Sequence, residues 1–184
     1  MNTHRICFVL SLSLLCQALS AQIRVEPSIG ASYPLNSVSG TSIPFPSFGC
    51  GVKYHPSGLP FAFGVEGAMN IACRIKGAIN ESGKAEDWAL RNLSLLALAD
   101  WHFYSSQNIR LFLGCGVGLA HRYQTLPGFS TYDVPVLGVC CSPRFGIYFK
   151  DRVFLALDTY ITENNFNIIG LRIGYSIGKR WRPN

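Results

Sequence analysis

The chain has 184 residues, 48% of them hydrophobic and only 14% charged, against roughly 25% charged in soluble globular domains. Plentiful apolar residues and a formal net charge of +6 exclude intrinsic disorder, and the scatter of Gly and Pro excludes a long linker. The length suits one domain; 18 glycines and an aromatic share of 12% point to many short strands rather than helices.

Residues 1–21 read as a cleaved secretory signal peptide. Arg5 supplies a basic start, Cys7 to Leu19 is mostly apolar, and Ala18-Leu19-Ser20-Ala21 offers the small residues a signal peptidase needs. The apolar stretch falls short of the ~20 residues of a spanning helix and is broken by Ser11, Ser13 and Gln17. Residues 22–184 then form the mature domain, with 15 basic and 10 acidic residues once Arg5 is removed. The basic residues are spread singly, without the clusters and interleaved aromatics of a nucleic-acid surface, so no nucleic-acid partner is expected.

Eight segments of the mature chain have strand character, at about 23–35, 47–55, 60–76, 88–104, 109–123, 135–149, 152–162 and 166–181. The connectors at 36–46, 77–87 and 124–134 are long and polar, whereas 56–59, 105–108 and 150–151 are tight. Alternation of long and short turns is the signature of an antiparallel up-and-down meander with one trimmed rim. Glu163 to Asn165 is the exception, a short connector on the long-loop side.

Each strand has one greasy face and one face of small or charged residues. In the fifth, Ile109, Leu111, Leu113, Cys115, Val117 and Leu119 alternate with Arg110, Phe112, Gly114, Gly116, Gly118 and Ala120. In the third, Phe61, Phe63, Val65, Met69 and Ile71 oppose Ala62, Gly64, Glu66, Asn70 and Arg74; the eighth repeats the division with Ile169, Leu171, Ile173 and Tyr175 against Gly170, Arg172, Gly174 and Ser176. A soluble sandwich would turn the small-residue face outward, where it holds too few solubilising groups. The inverse fits better: the greasy face meets lipid, and glycine and alanine make room for Arg, Glu and aromatic side chains in a narrow lumen. Closure removes the strand edges that lipid cannot solvate. Tyr54, Trp101, Phe103, Phe149 and Trp181 lie near the short turns, as an interfacial girdle requires. The fold class expected is therefore all-β, an eight-stranded antiparallel up-and-down transmembrane β-barrel over 22–184.

With its signal, strand count, loop alternation and the terminal run Ile168-Ile169-Gly170-Leu171-Arg172-Ile173-Gly174-Tyr175-Ser176-Ile177-Gly178, the chain resembles the OmpA/OmpX-like superfamily of small outer-membrane barrels and its PorT-like β-barrel families. The resemblance covers essentially the whole mature chain. It implies a place in the outer membrane of a Gram-negative-type bacterium, contact with outer-membrane lipid and lipopolysaccharide, delivery by the barrel-assembly machinery, and a monomer. It carries over no functional residues.

Signals for chemistry are few, and no catalytic, cofactor-binding or metal-ligating residue is assigned. Gly114-Cys115-Gly116-Val117-Gly118 lacks the following helix of a phosphate-binding loop, so its glycines read as relief of crowding in the lumen. His55-Pro56-Ser57 invites comparison with lipid A deacylases, which are eight-stranded barrels with a His-x-Ser arrangement, but it occupies a short turn at the end opposite the outer leaflet. Cys50, Cys73, Cys115, Cys140 and Cys141 are an odd set without Cys-x-x-Cys and read as small apolar fillers. Pro135 and Pro143 predict a bulge or local break in the sixth strand.

Counting hairpin register places a charge cluster in the lumen. A turn centred on Asp151 sets Arg144 opposite Asp158, and one centred on Asn165 sets Arg172 on the other side of that carboxylate. Glu66 on the third strand belongs to the same cluster, and Arg74, Arg110 and Tyr160 share the lumen. The function expected is a non-enzymatic integral outer-membrane barrel, its lumen plugged by side chains, with a structural or loop-mediated interaction role at the envelope. A soluble exported calycin-like binder of small ligands is the alternative, followed by a lipid A-modifying barrel enzyme.

Overall fold

The computed structural model describes residues 22–35, 44–56, 58–79, 85–125, 136–163 and 167–178, with side chains described except at 22, 71–79, 85–90, 122–125 and 136. The expected signal peptide, Pro135 and Trp181 lie outside the described residues, as do most of the connectors 36–46 and 124–134. The strands are β1 (Gln22–Pro34), β2 (Phe45–His55), β3 (Phe61–Ile79), β4 (Ala85–Ser105), β5 (Ile109–Thr125), β6 (Val136–Phe149), β7 (Val153–Thr162), β8 (Ile168–Tyr175) and the short β9 (Ile177–Gly178). From β1 to β8 each strand pairs antiparallel with its neighbour in sequence, and β1 pairs with both β2 and β8, so the sheet closes on itself.

Nine segments make eight staves. β9 continues β8 in an unchanged register against β1, since Ser28 pairs with Gly174 and Val25 with Ile177. The interruption lies beside Pro27, which has no N–H to give the ladder. Ser176 nevertheless donates its N–H to the Arg152 carbonyl at 2.6 Å, so the side facing β7 stays bonded.

The register also fixes the size of the barrel. Ala62 pairs with Asp100, Asp100 with Gly114, Gly114 with Arg144, Arg144 with Asp158, Asp158 with Gly170, Gly170 with Ser32, and Ser32 with Phe45. Because Ser47 pairs with Asn70, Phe45 is level with residue 72, and one circuit returns to β3 ten residues from its start. With a rise of ~3.3 Å per residue and a strand spacing of ~4.8 Å, a stagger of ten over eight strands gives a tilt of about 41° and a radius of about 8 Å. An interior that narrow holds side chains and little else.

One sequence expectation about the strand limits needs correction. The connector placed at 77–87 is mostly strand: β3 runs to Ile79 and β4 starts at Ala85. Register shifts between Ile71 and Cys73 and between Ile75 and Ala78 take up the extra residues of β3, so a polar, glycine-containing hairpin stays paired. Arg74, expected in the lumen by simple alternation, follows the first of these shifts, and its side chain lies outside the described residues. Pro143 makes the local break expected of it, without a bulge. It pairs with Cys115 in an unbroken β5–β6 register, while on the β7 side the rungs at Ser142 and Pro143 are missing and pairing resumes unshifted at Arg144.

The two faces separate cleanly. Outward-facing residues include Ile29, Val52, Val65, Leu95, Val117, Val139, Leu157 and Leu171, all exposed. Trp101, Phe103 and Phe149, expected as girdle aromatics, are exposed near the short turns, Tyr54 is half-buried there, and Phe61, Tyr104 and Tyr175 extend the band. Inside lie Phe112, Tyr148, Phe154 and Tyr160 with a set of buried charges. At the β6–β7 hairpin Arg152 donates to the Phe149 carbonyl at 3.0 Å around Lys150 and Asp151, whose φ values of 49° and 57° define a type I′ turn.

Candidate functional site: the charge network of the lumen

Alternation puts one residue of every two inside, and glycine decides where a long side chain fits. A Cβ on Gly114 would collide with the Asp100 carboxylate, and one on Gly146 or Gly174 with the rings of Phe112 or Phe154. Gly114 is therefore the complement of the Asp100 carboxylate, and Gly116 and Gly118 make room for the Leu96 and Leu98 side chains and the adjacent β4 backbone, as crowding relief requires.

Arg144 and Asp158 face each other across β6 and β7, with Nε to Oδ1 at 3.6 Å. Arg172 does not sit opposite Asp158 as the register count predicted. The β7–β8 turn is centred one residue earlier, so Asp158 pairs with Gly170 and Arg172 with Ala156. Moving the centre by one residue moves each partner by two, which preserves the face. Gly170 leaves the space beside Asp158 open, and Arg172 reaches it diagonally, Nε to Oδ2 at 2.7 Å. Glu66 joins the two arginines from β3, with Oε2 3.1 Å from Arg144 Nη1 and Oε1 2.8 Å from Arg172 Nη2. All four side chains are at most 7% exposed.

A second cluster adjoins the first. Lys53 Nζ lies 2.8 Å from both Glu26 Oε2 and Asp100 Oδ2, and donates to the Tyr148 hydroxyl at 2.9 Å. That hydroxyl donates in turn to Glu26 at 2.8 Å. The ammonium also sits near the Phe112 ring, 5.1 Å from its centroid, a cation–π contact in an apolar site. Asp100 links the clusters, its Oδ1 lying 3.5 Å from Arg144 Nε. Towards the short turns Arg110 and Arg24 share Asp151, at 3.2 and 3.8 Å, and Arg110 covers the Tyr148 ring at 4.6 Å. His55 stacks on His102, ring centroids 5.3 Å apart, sealed inside the lumen. Ser57 lies outside the described residues.

Among the described residues these pairs involve five cations (Arg24, Lys53, Arg110, Arg144 and Arg172) and five carboxylates (Glu26, Glu66, Asp100, Asp151 and Asp158). Equal numbers matter because an unpaired ion in such a medium costs several kcal/mol. Lys53, Glu26, Asp100, Arg24 and Tyr148 went unrecognised in the sequence. On β4 the signal is masked: Leu93 and Leu95 point out while Leu96 and Leu98 point in, so alternation does not single out Asp100. Glu26 and Lys53 occupy alternate positions that a register count across the long β1–β2 connector would have had to fix.

No protein-family model matches the sequence, and no curated protein does. Solved structures match over most of its length. Neisserial surface protein A (NspA) superimposes with a TM-score of 0.56 at 15% identity, covering 86% of this chain and 97% of that one. The N-terminal β-barrel domain of Pseudomonas aeruginosa OprF gives 0.50 at 15% identity, with coverage of 85% and 99%. Ail of Yersinia pestis, solved with the heparin analogue sucrose octasulfate, gives 0.49 at 10% identity, with coverage of 85% and 97%. The fold is that of the small eight-stranded outer-membrane barrels.

Proposed function

We propose that this chain is an integral outer-membrane β-barrel without catalytic activity, which presents its long loops outside the cell on a wall closed by an ionic plug. One observation carries the reading: among the described residues the strand faces turned outward are apolar, with Arg91 towards the long-loop end of β4 their one Lys, Arg, Asp or Glu, while the faces turned inward bear paired ions. A soluble calycin-like binder needs the reverse, an apolar cavity within a polar exterior. Exposure of Leu95 at 65%, Val117 at 54% and Leu171 at 51% would be costly in water and suits acyl chains. An enzyme reading would need an accessible nucleophile and base, and His55 is shut inside the barrel.

On this reading the surrounding solvent is outer-membrane lipid and lipopolysaccharide, the barrel-assembly machinery inserts the chain after removal of residues 1–21, and a monomer suffices because closure leaves no edge. The short turns and both mature termini face the periplasm. The test is fractionation of cells expressing the full chain, followed by gel electrophoresis in detergent with and without boiling. Recovery in the outer membrane as a band that migrates faster unheated supports the reading. Recovery in the soluble periplasmic fraction would overturn it.

A further inference from the structure

Two of the cysteines are not isolated fillers. Cys115 on β5 and Cys141 on β6 lie on the outer face of adjacent strands, and their sulfur atoms are 3.6 Å apart. The register explains the approach. Cys141 pairs with Val117 and Cys115 with Pro143, so the thiols are diagonal neighbours two residues apart along the strand, and the twist of the sheet brings such a pair together. Among the described side chains no other cysteine sulfur is placed against either of them: Cys140 follows Cys141 but points into the lumen, and Cys50 lies on β2, separated from β5 by two strands. The pair brackets the connector between β5 and β6, so a bond between them would close a covalent ring around one of the long loops.

We infer that Cys115 and Cys141 are joined by a disulfide in the exported protein. The inference rests on the envelope location proposed above, because an oxidising compartment is what lets such a bond persist. Closure asks the sulfurs to approach by about 1.5 Å from contact to the ~2.05 Å of the bond. The oxidant is a disulfide-bearing protein of the envelope. One cysteine attacks as its thiolate and forms a mixed disulfide, and the second displaces the oxidant's thiolate. The two thiols lose two protons and two electrons, and the oxidant leaves as a dithiol. The bond fastens the two strands beneath the 126–135 loop on the face turned to lipid, away from the ionic network.

The test uses the full chain in cells that possess an outer membrane. Free thiols are trapped with iodoacetamide before lysis, outer membranes are isolated, and the protein is digested with trypsin without reductant. Cleavage after Arg110, Arg122 and Arg144 separates the two cysteines. The expected result is a linked pair of peptides, 111–122 with 123–144, whose fragmentation assigns the bond to Cys141, together with alkylated Cys50 and Cys140. The link should survive Cys140→Ser and vanish in Cys141→Ser. Alkylation of both Cys115 and Cys141 in protein recovered from the outer membrane, or a bond from either to another cysteine, would overturn the inference and leave the envelope reading standing. Recovery outside the outer membrane would overturn both.

Discussion

Removing the Asp158 carboxylate tests the ionic plug where the structure gives the most detail. In Asp158→Ala, Arg172 loses a 2.7 Å bond and Arg144 a 3.6 Å contact, and both cations stay buried. Stranding a buried partner costs 3–5 kcal/mol as a general expectation, roughly. Neither arginine is left bare, however, because Glu66 still reaches Arg144 at 3.1 Å and Arg172 at 2.8 Å. The loss should therefore fall near the lower end, about 3 kcal/mol. Glu66→Ala should cost a similar amount for the complementary reason. The double variant removes both of the carboxylates paired with Arg172, so its loss should exceed the sum of the single losses by about 1–3 kcal/mol. Denaturant unfolding in detergent micelles, followed by tryptophan fluorescence and by the gel shift between folded and unfolded forms, reads all four corners of this cycle. An exposed acid such as Glu163 serves as the control and should change stability by no more than about 0.5 kcal/mol on replacement by alanine. Additive losses within about 0.5 kcal/mol would refute the network, since residues sharing a partner must couple.

Other outcomes follow from the same geometry. Val117→Arg puts a charge on the outward face near the middle of β5 and should cost about 2–4 kcal/mol in a bilayer, whereas the same change at exposed Lys150 in the β6–β7 turn should cost almost nothing. Gly114→Leu forces a side chain into the Asp100 carboxylate and the Ala99 backbone, and should abolish the heat-modifiable band; retention of that band would show room in the lumen that the packing denies. Purified monomer in planar bilayers should give no stable single-channel conductance, and reproducible openings would contradict a filled interior. Of cysteines introduced at Ser82 and Ser106, only that at Ser82 should react with an impermeant reagent on intact cells. Labelling at Ser106 alone would invert the orientation.

Much of the fold was legible because the physics that writes it is local. Alternation with period two separates Val117 from Gly116 and Ile173 from Arg172 without reference to any partner, and tight turns such as 150–151 fix which strands are neighbours. The Arg144–Asp158 pairing could be counted for that reason: Lys150 and Asp151 leave the hairpin a single geometry. Legibility ended where a distance across the lumen mattered. Arg172 was one turn position out because the sequence Glu163-Asn164-Asn165 does not dictate where the hairpin is centred, and it met Asp158 only because a two-residue slip keeps the face. Lys53 reaches Asp100 across the interior, from β2 to β4, a contact written in no single hairpin. Lumen occupancy depends on the stagger of ten, a property of the closed circuit of strands. Likewise the contact between Cys115 and Cys141 needed both the β5–β6 register and the twist of the sheet.

The central claim is that the apolar face of these strands meets acyl chains while the charged face is sealed inside. Nitroxide labels placed one at a time along β5 from Leu111 to Ala120, in protein reconstituted into bilayers, test it directly through collision with oxygen and with a water-soluble nickel complex. Oxygen access should alternate with a period of two, highest at Leu113, Cys115, Val117 and Leu119, with nickel access low at those positions. Nickel access peaking at those same four residues would contradict the account and make the greasy face a surface exposed to water.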